Sequence, residues 1–160
     1  MTWALSLWAG VAVVGFAMVF SVPRRTLPGI LALAIVAHVV RSLGLELGAS
    51  LPLASFGAAL LVGLTAAVVA PRTDQATPIY AFAPVIPLIP GTYMFDALTG
   101  VLELTAGPQA DSAAIVDAAV VNGSIATLTV IALAVGTISP TLLVGHHLAR
   151  LVSAGPAEAE

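Results

Sequence analysis

Apolar runs of about 20 residues, the length of helix needed to cross the hydrocarbon core of a bilayer, recur along nearly this whole chain. Five can be drawn, over residues 3–22, 27–45, 53–70, 79–102 and 118–143. Their joining segments are short, so few of the 160 residues remain for a soluble domain. Charged residues make up 8% of the sequence, against about 25% in a soluble globular domain. A soluble protein with buried helices would need a polar shell that these residues cannot supply. The expectation is an all-α polytopic membrane bundle of about five transmembrane helices. It forms a single transmembrane domain over residues 1–152, with a short disordered tail over 153–160.

Local signals place the ends of the spans. Pro23 cannot continue a helical hydrogen-bond ladder, and Arg24 and Arg25 favour the membrane interface. Because that arginine pair follows the first apolar run rather than preceding it, the run reads as a retained span and not a signal peptide. Pro28 suits a first helical turn; Gly44, Gly48 and Pro52 mark the exit from the second span. The third span is rich in alanine and holds Gly57 and Gly63, small residues that let helices approach closely in lipid. It closes at Pro71-Arg72-Thr73-Asp74. A short interfacial helix is expected over 110–119, after the Gly107-Pro108 turn. The last span then runs over 118–143, bending near Gly136 or Pro140, and continues through His146, His147 and Arg150.

Charge supports this count. With five spans, Arg24, Arg25, Arg72 and Arg150 fall on one side and only Arg41 near the other. Cytoplasmic loops carry the excess of arginine, so the N terminus is expected outside and the C terminus in the cytoplasm, in a bacterial inner membrane. Four spans would separate Arg150 from Arg72 and weaken the pattern.

The fourth apolar run differs in kind. Pro84, Pro87, Pro90 and Gly91 fall within eight positions, and a regular helix cannot contain them. Irregular backbone survives at membrane depth only where protein or a water-filled cavity covers it. The run Pro87-Leu88-Ile89-Pro90-Gly91-Thr92-Tyr93 offers backbone groups and two hydroxyls at such a break, and helix ends near the midplane bind solutes in many secondary transporters. A simple packing kink is the other reading.

Polar residues inside the runs are the remaining candidates. His38 and Arg41 stand three apart on the second span and share a face. Together they suit an anion-binding or proton-coupled role, a fixed positive charge beside a group that titrates near neutral pH. Alternatively Arg41 reaches the outer headgroups and His38 makes a structural hydrogen bond. Asp96 is a candidate to carry a proton or bind a cation, or else to cap a turn or face water. Asn122 has several hydrogen-bonding sites to satisfy and is either structural glue or a pore-lining group.

No catalytic residue, cofactor or metal site is expected. His38 and Arg41 lack further ligands, and adjacent histidines such as His146 and His147 point apart on a helix. The sequence has no cysteine, phosphate-binding glycine loop, dinucleotide glycine pattern or serine elbow. The net charge of -3 comes from loops and tail and implies no nucleic acid.

The chain resembles the threonine/serine exporter family, and within it the smaller half. The resemblance rests on Gly15-Phe16-Ala17-Met18-Val19-Phe20, Val22-Pro23, and Ala37-His38 with Arg41. It continues through Ser55-Phe56, Leu61-Val62-Gly63, Val85-Ile86-Pro87-Leu88-Ile89-Pro90-Gly91 and Asn122. Members occur as one chain of about ten spans or as two chains, and the resemblance implies a larger partner subunit supplying the other five spans. It also implies export of threonine and serine, or of a dicarboxylate such as succinate, driven by the proton gradient or membrane potential. His38, Arg41, Pro87, Pro90, Gly91 and Asn122 are the residues it carries over.

The resulting expectation is a cavity between two halves in the bilayer. A substrate carboxylate is held there by Arg41 or by N–H groups after Pro90-Gly91, and Asp96 or His38 exchanges a proton. The rivals are an assembly subunit whose partner holds the path, and a homo-oligomeric channel or other higher oligomer. An intramembrane enzyme ranks last.

Overall fold

The computed structural model describes residues 13, 15–16, 22–73, 76–107 and 111–153, with backbone alone at 141 and 144–153. Its elements are all helical: α1 (Leu27–Glu46), α2 (Leu51–Val69), a 3-10 turn (Pro71–Thr73), α3 (Thr77–Phe82), a second 3-10 turn (Ala83–Leu88), α4 (Gly91–Thr105) and α5 (Ser112–Ser153). Among the described residues three helices are long and apolar enough to cross a membrane. A fourth crossing is added if the pair Thr77–Leu88 and Gly91–Thr105, bent by 56°, is one broken span. The chain is therefore a multi-pass, all-α membrane protein. The first expected span lies outside the described residues except Val13, Gly15, Phe16 and Val22. Of these, Val13 is buried against Ile30, Ala34, Ala66 and Tyr80.

Helices α1 and α2 are the second and third expected spans. Each has proline in its first turn, where the missing N–H leaves no helical bond unmade. The turn between them is set by Gly48 at φ 85. Its N–H donates to the Leu45 carbonyl while Ala49 N–H donates to that of Gly44, both at 3.0 Å. That paired closure satisfies the last carbonyls of α1 and needs a left-handed residue, which glycine supplies.

The centre of the bundle is α2. Its buried residues Ala54, Ser55, Ala58, Ala59, Val62, Gly63, Ala66 and Ala67 recur at three- and four-residue spacing. Almost all are small, so neighbouring backbones come close, as helices without a hydrophobic drive between them require in lipid. A Cβ on Gly44 would meet the Cβ of Ala54 at 3.0 Å, and one on Gly136 would meet Ala59 Cβ and Phe56 O at 2.9 Å. One on Gly63 would collide with Thr137 O.

Buried hydroxyls mostly bond back to their own helix, Thr129 Oγ1 to Ile125 O and Thr137 Oγ1 to Leu133 O, both at 2.7 Å. Ser55 differs: it is fully buried, and its Oγ has no hydrogen-bond partner among the described residues. An unpaired buried hydroxyl costs about 1–3 kcal/mol. Ser55→Ala is therefore expected to leave thermal stability in detergent unchanged or raise it by a few degrees; a fall would mean that the hydroxyl has a partner.

One expectation for the C-terminal third is corrected. The separate interfacial helix over 110–119 and the last span form one helix, α5, of 42 residues. Nothing between Ser112 and Asn122 interrupts helical hydrogen bonding; the interruption lies earlier, at Gly107 with φ 138. Helix also continues through Pro140, as membrane helices permit when neighbours satisfy the freed groups.

At about 1.5 Å per residue α5 is roughly 63 Å long, twice the ~30 Å hydrocarbon core. Its C-terminal half runs parallel to α2, with Gly136 beside Phe56 and Ala59 and Gly63 beside Thr137 and Pro140. Since α2 begins at Leu51, the stretch of α5 before about residue 130 extends past it by roughly 27 Å. There α4 packs antiparallel on α5, Ala97 facing Gly123 and Gly100 facing Ala119. Among the described elements α5 is its principal neighbour.

The two helices form an arm beyond the α1–α2 turn, at the end of the bundle away from Arg24, Arg25 and Arg72. Single cysteines in this cysteine-free chain test the layering. Leu102→Cys and Val116→Cys are expected to react with a charged maleimide at least ~10-fold faster than Leu64→Cys, which sits mid-span on α2 in the low-dielectric core. Equal rates would place the arm inside the hydrocarbon.

Candidate functional site: the arginine at the broken span

The break expected from the proline cluster is present, and its geometry follows from the residues. Pro84 and Pro87 lie in the 3-10 turn Ala83–Leu88. Ile89 is extended at φ -60, ψ 131, the conformation favoured before a proline. Pro90 follows at φ -80, ψ 63, and Gly91 N–H donates back to Ile89 O at 2.9 Å. These are the marks of an inverse γ-turn. Met94 N–H then bonds Pro90 O at 3.1 Å and helix α4 resumes.

This interruption releases a carbonyl. In an uninterrupted α-helix Leu88 O would accept the N–H of Thr92, four residues on. Here Arg41 Nη1, 47 residues away on α1, donates to Leu88 O at 2.6 Å. The Leu88 side chain is fully buried among Leu33, Ala37, Ala58, Val62 and Leu133, which fixes the height of the carbonyl. A guanidinium at the end of a helical turn also meets the negative pole of its peptide dipoles. The snorkelling alternative for Arg41 does not describe this contact, which points the side chain at the protein's own backbone.

Around this pair the expected residues divide into two groups. Pro87, Pro90 and Gly91 build the break that presents Leu88 O. His38 lies one turn before Arg41 on the same face of α1, half-buried. Thr92 is exposed at the start of α4. Asp96 and Asn122 lie apart, on the arm near the level where Ala97 faces Gly123. Asp96 is exposed and Asn122 half-buried.

Leu88 and Tyr93 fall in the run Pro87–Tyr93 that the sequence marks for its backbone groups and hydroxyls, but neither is singled out there. The Leu88 carbonyl has no side-chain signature; the only hint is a proline two positions ahead, which disrupts the helical pattern of the carbonyls before it. Tyr93 follows half-buried in the first turn of α4. Arg72, by contrast, turns to its own helix and donates from Nη1 to Val68 O at 3.0 Å. Among the described residues no group of three or more His, Asp or Glu side chains could hold a metal ion.

Chemically, the site joins a planar cation with several donors to a backbone turn at the start of a helix. A guanidinium binds a carboxylate through two parallel hydrogen bonds, and the first N–H groups of a helix favour anions. An anion is therefore the ligand type that these groups suit.

Residues 5–143 match a family model described as Threonine/Serine exporter, ThrE. An uncharacterized protein of Haemophilus influenzae is 31% identical over 98 residues, which are 61% of this chain and 33% of that protein. The match thus spans about a third of that relative's length. No solved structure matches the chain.

Proposed function

The chain belongs to the threonine/serine exporter family, and from that premise we propose that it forms one half of a secondary exporter for small carboxylate-bearing metabolites. Threonine, serine and a dicarboxylate such as succinate are its candidate cargoes. The observation that carries this reading is Arg41 held at a broken span, with its guanidinium on Leu88 O. A cation at membrane depth is expensive to keep, and a break beside it supplies both anion-binding groups and a hinge.

In this reading the chain crosses the bilayer five times, counting the run over 3–22 and the broken span that begins at Thr77 as one crossing each. The odd count puts the termini on opposite sides, with the C terminus and the arginine-bearing loops in the cytoplasm of a bacterial cell. A larger five-span subunit of opposite orientation completes an inverted-repeat pair. The arm supports the need for a partner: Phe95, Leu98, Leu102 and Val120 are all exposed on it, more apolar surface than a monomer leaves in water. Substrate enters between the halves and its carboxylate meets Arg41 and the amides after Gly91. His38 exchanges a proton beside it, while Asp96 acts at the mouth on the arm side.

The same contact favours a second reading, in which Arg41 is a structural clasp and the larger subunit holds the path. Cells separate the two. In a strain lacking the chain but keeping the larger subunit, cells loaded with threonine- or serine-containing dipeptides, or with labelled succinate, are expected to retain the solute. Restoring the chain is expected to restore export, and an Arg41→Gln chain that assembles is expected not to. Full export with Arg41→Gln would leave the clasp as the role of this arginine.

A further inference from the structure

Arg41 is engaged before any substrate arrives, because Leu88 O already accepts its hydrogen bond at 2.6 Å. A ligand that takes the Nη1 edge of the guanidinium displaces that acceptor. The two acceptors differ in kind. The carbonyl is neutral and accepts from one nitrogen, whereas a carboxylate is charged and accepts from two in parallel. A neutral amide or ester offers no more than Leu88 itself.

Release of Leu88 O has a structural consequence. The carbonyl must find a new donor, since a buried unpaired carbonyl is costly. The donor to which helical geometry assigns it is Thr92 N–H, in the first turn of α4. Bringing Thr92 to Leu88 reduces the 56° bend between Thr77–Leu88 and Gly91–Thr105. It therefore swings α4, a helix of 15 residues whose N-terminal end is at the break. Pro90 prevents complete straightening, because its ring and missing N–H cannot join the ladder. The structure shows Leu88 O on Arg41, and Thr92 N–H is the acceptor's alternative donor.

We propose that the Leu88 carbonyl occupies the place of a substrate carboxylate on Arg41, so that a carboxylate-bearing solute, and not its amide, releases the broken span and moves the arm. This rests on the transport reading above and adds to it the specificity element and the coupling step. Arg41 is then the group that distinguishes an acid from its neutral analogue. Leu88 is the positioning residue, acting through its backbone.

The test uses the full cysteine-free chain, co-produced with the larger family member of the same cell, carrying spin labels at Leu43→Cys and Leu102→Cys. Both positions are exposed, on α1 and α4 respectively. Threonine and succinate are expected to shift the inter-label distance by on the order of 10 Å, given an α4 length of about 22 Å. Threonine amide and succinamide are expected to leave it unchanged. With Arg41→Gln the distance is expected not to respond to threonine, and efflux to fall at least ~10-fold. Arg41→Lys, which keeps the charge without the two-pronged geometry, is expected to give a smaller shift.

A wild-type distance that ignores threonine and succinate while efflux still depends on Arg41 would overturn the exchange and leave Arg41 as a fixed binding group. An equal shift with the amides would overturn the carboxylate selectivity. Efflux independent of Arg41 would remove the transport reading on which the exchange rests.

Discussion

Gly136→Val is expected to abolish a stably folded chain. A Cβ at Gly136 would sit 2.9 Å from both Ala59 Cβ and Phe56 O and 3.1 Å from Leu60 N. Two of these three atoms are backbone, so a rotamer change cannot relieve the clash and α2 must move away from α5. Overpacking a core costs about 1–3 kcal/mol, and here a further loss follows as the small-residue face from Ser55 to Ala67 separates from its partner. At about 2–4 °C per kcal/mol for a chain of this size, a fall of roughly 10 °C or more in detergent melting temperature is expected, with little full-length protein in membranes. Gly57→Ala is the matched control. It lies on α2, the helix that Gly136 packs against, with nothing within 4 Å of its added Cβ, and alanine gains about 0.5–1 kcal/mol over glycine in a helix. If both variants behaved alike, close backbone contact would not be what holds α2 to α5.

Arg41→Ala is expected to lower stability by about 2 kcal/mol, because it leaves Leu88 O buried without its donor. Melting in detergent measures that loss. Export from cells is expected to fall at least ~10-fold at matched complex levels, the range for losing a charged hydrogen bond to substrate. Arg41→Lys is expected to recover part of the stability but less of the export, since an ammonium can reach one acceptor but cannot fork across two. Arg72→Ala supplies the contrast: its side chain is exposed and bonds only its own helix. Its effect on stability is expected within about 0.5 kcal/mol. Equal losses from both arginines would mean a general charge effect rather than one site.

Membrane character, the α1 and α2 spans and the location of the break were all legible in the sequence. They follow from uninterrupted apolar length and from prolines, and both act locally. Gly63 was singled out together with Gly57, yet only Gly63 lies at a close helix contact. Composition identifies small residues, and which of them meets a neighbour depends on register. The continuity of α5 was missed because the polar residues Asp111, Ser112 and Asp117 looked like a boundary, although none of them breaks a helix. A polar residue there does not by itself end a helix.

The site was legible in part for the same reason. His38 and Arg41 share a face by periodicity, and the Pro87–Gly91 run declares itself as irregular. Their meeting across 47 residues depends on the packing of Leu88 beside Leu33 and Ala37, which no local pattern encodes. Asp96 and Asn122 share with Arg41 only the property of being polar within an apolar run. The 56° bend carries Asp96 onto the arm, and Asn122 lies there on the N-terminal half of α5.

The most direct test of the account is efflux from proteoliposomes that hold the chain and its larger family partner, preloaded with labelled threonine, serine or succinate. Each solute would be measured with and without a pH gradient, beside vesicles that hold either chain alone. The account predicts gradient-dependent efflux of at least one of the three, only when both chains are present, and its loss with Arg41→Gln. No efflux of any of them from vesicles in which the pair is assembled and correctly inserted would contradict it.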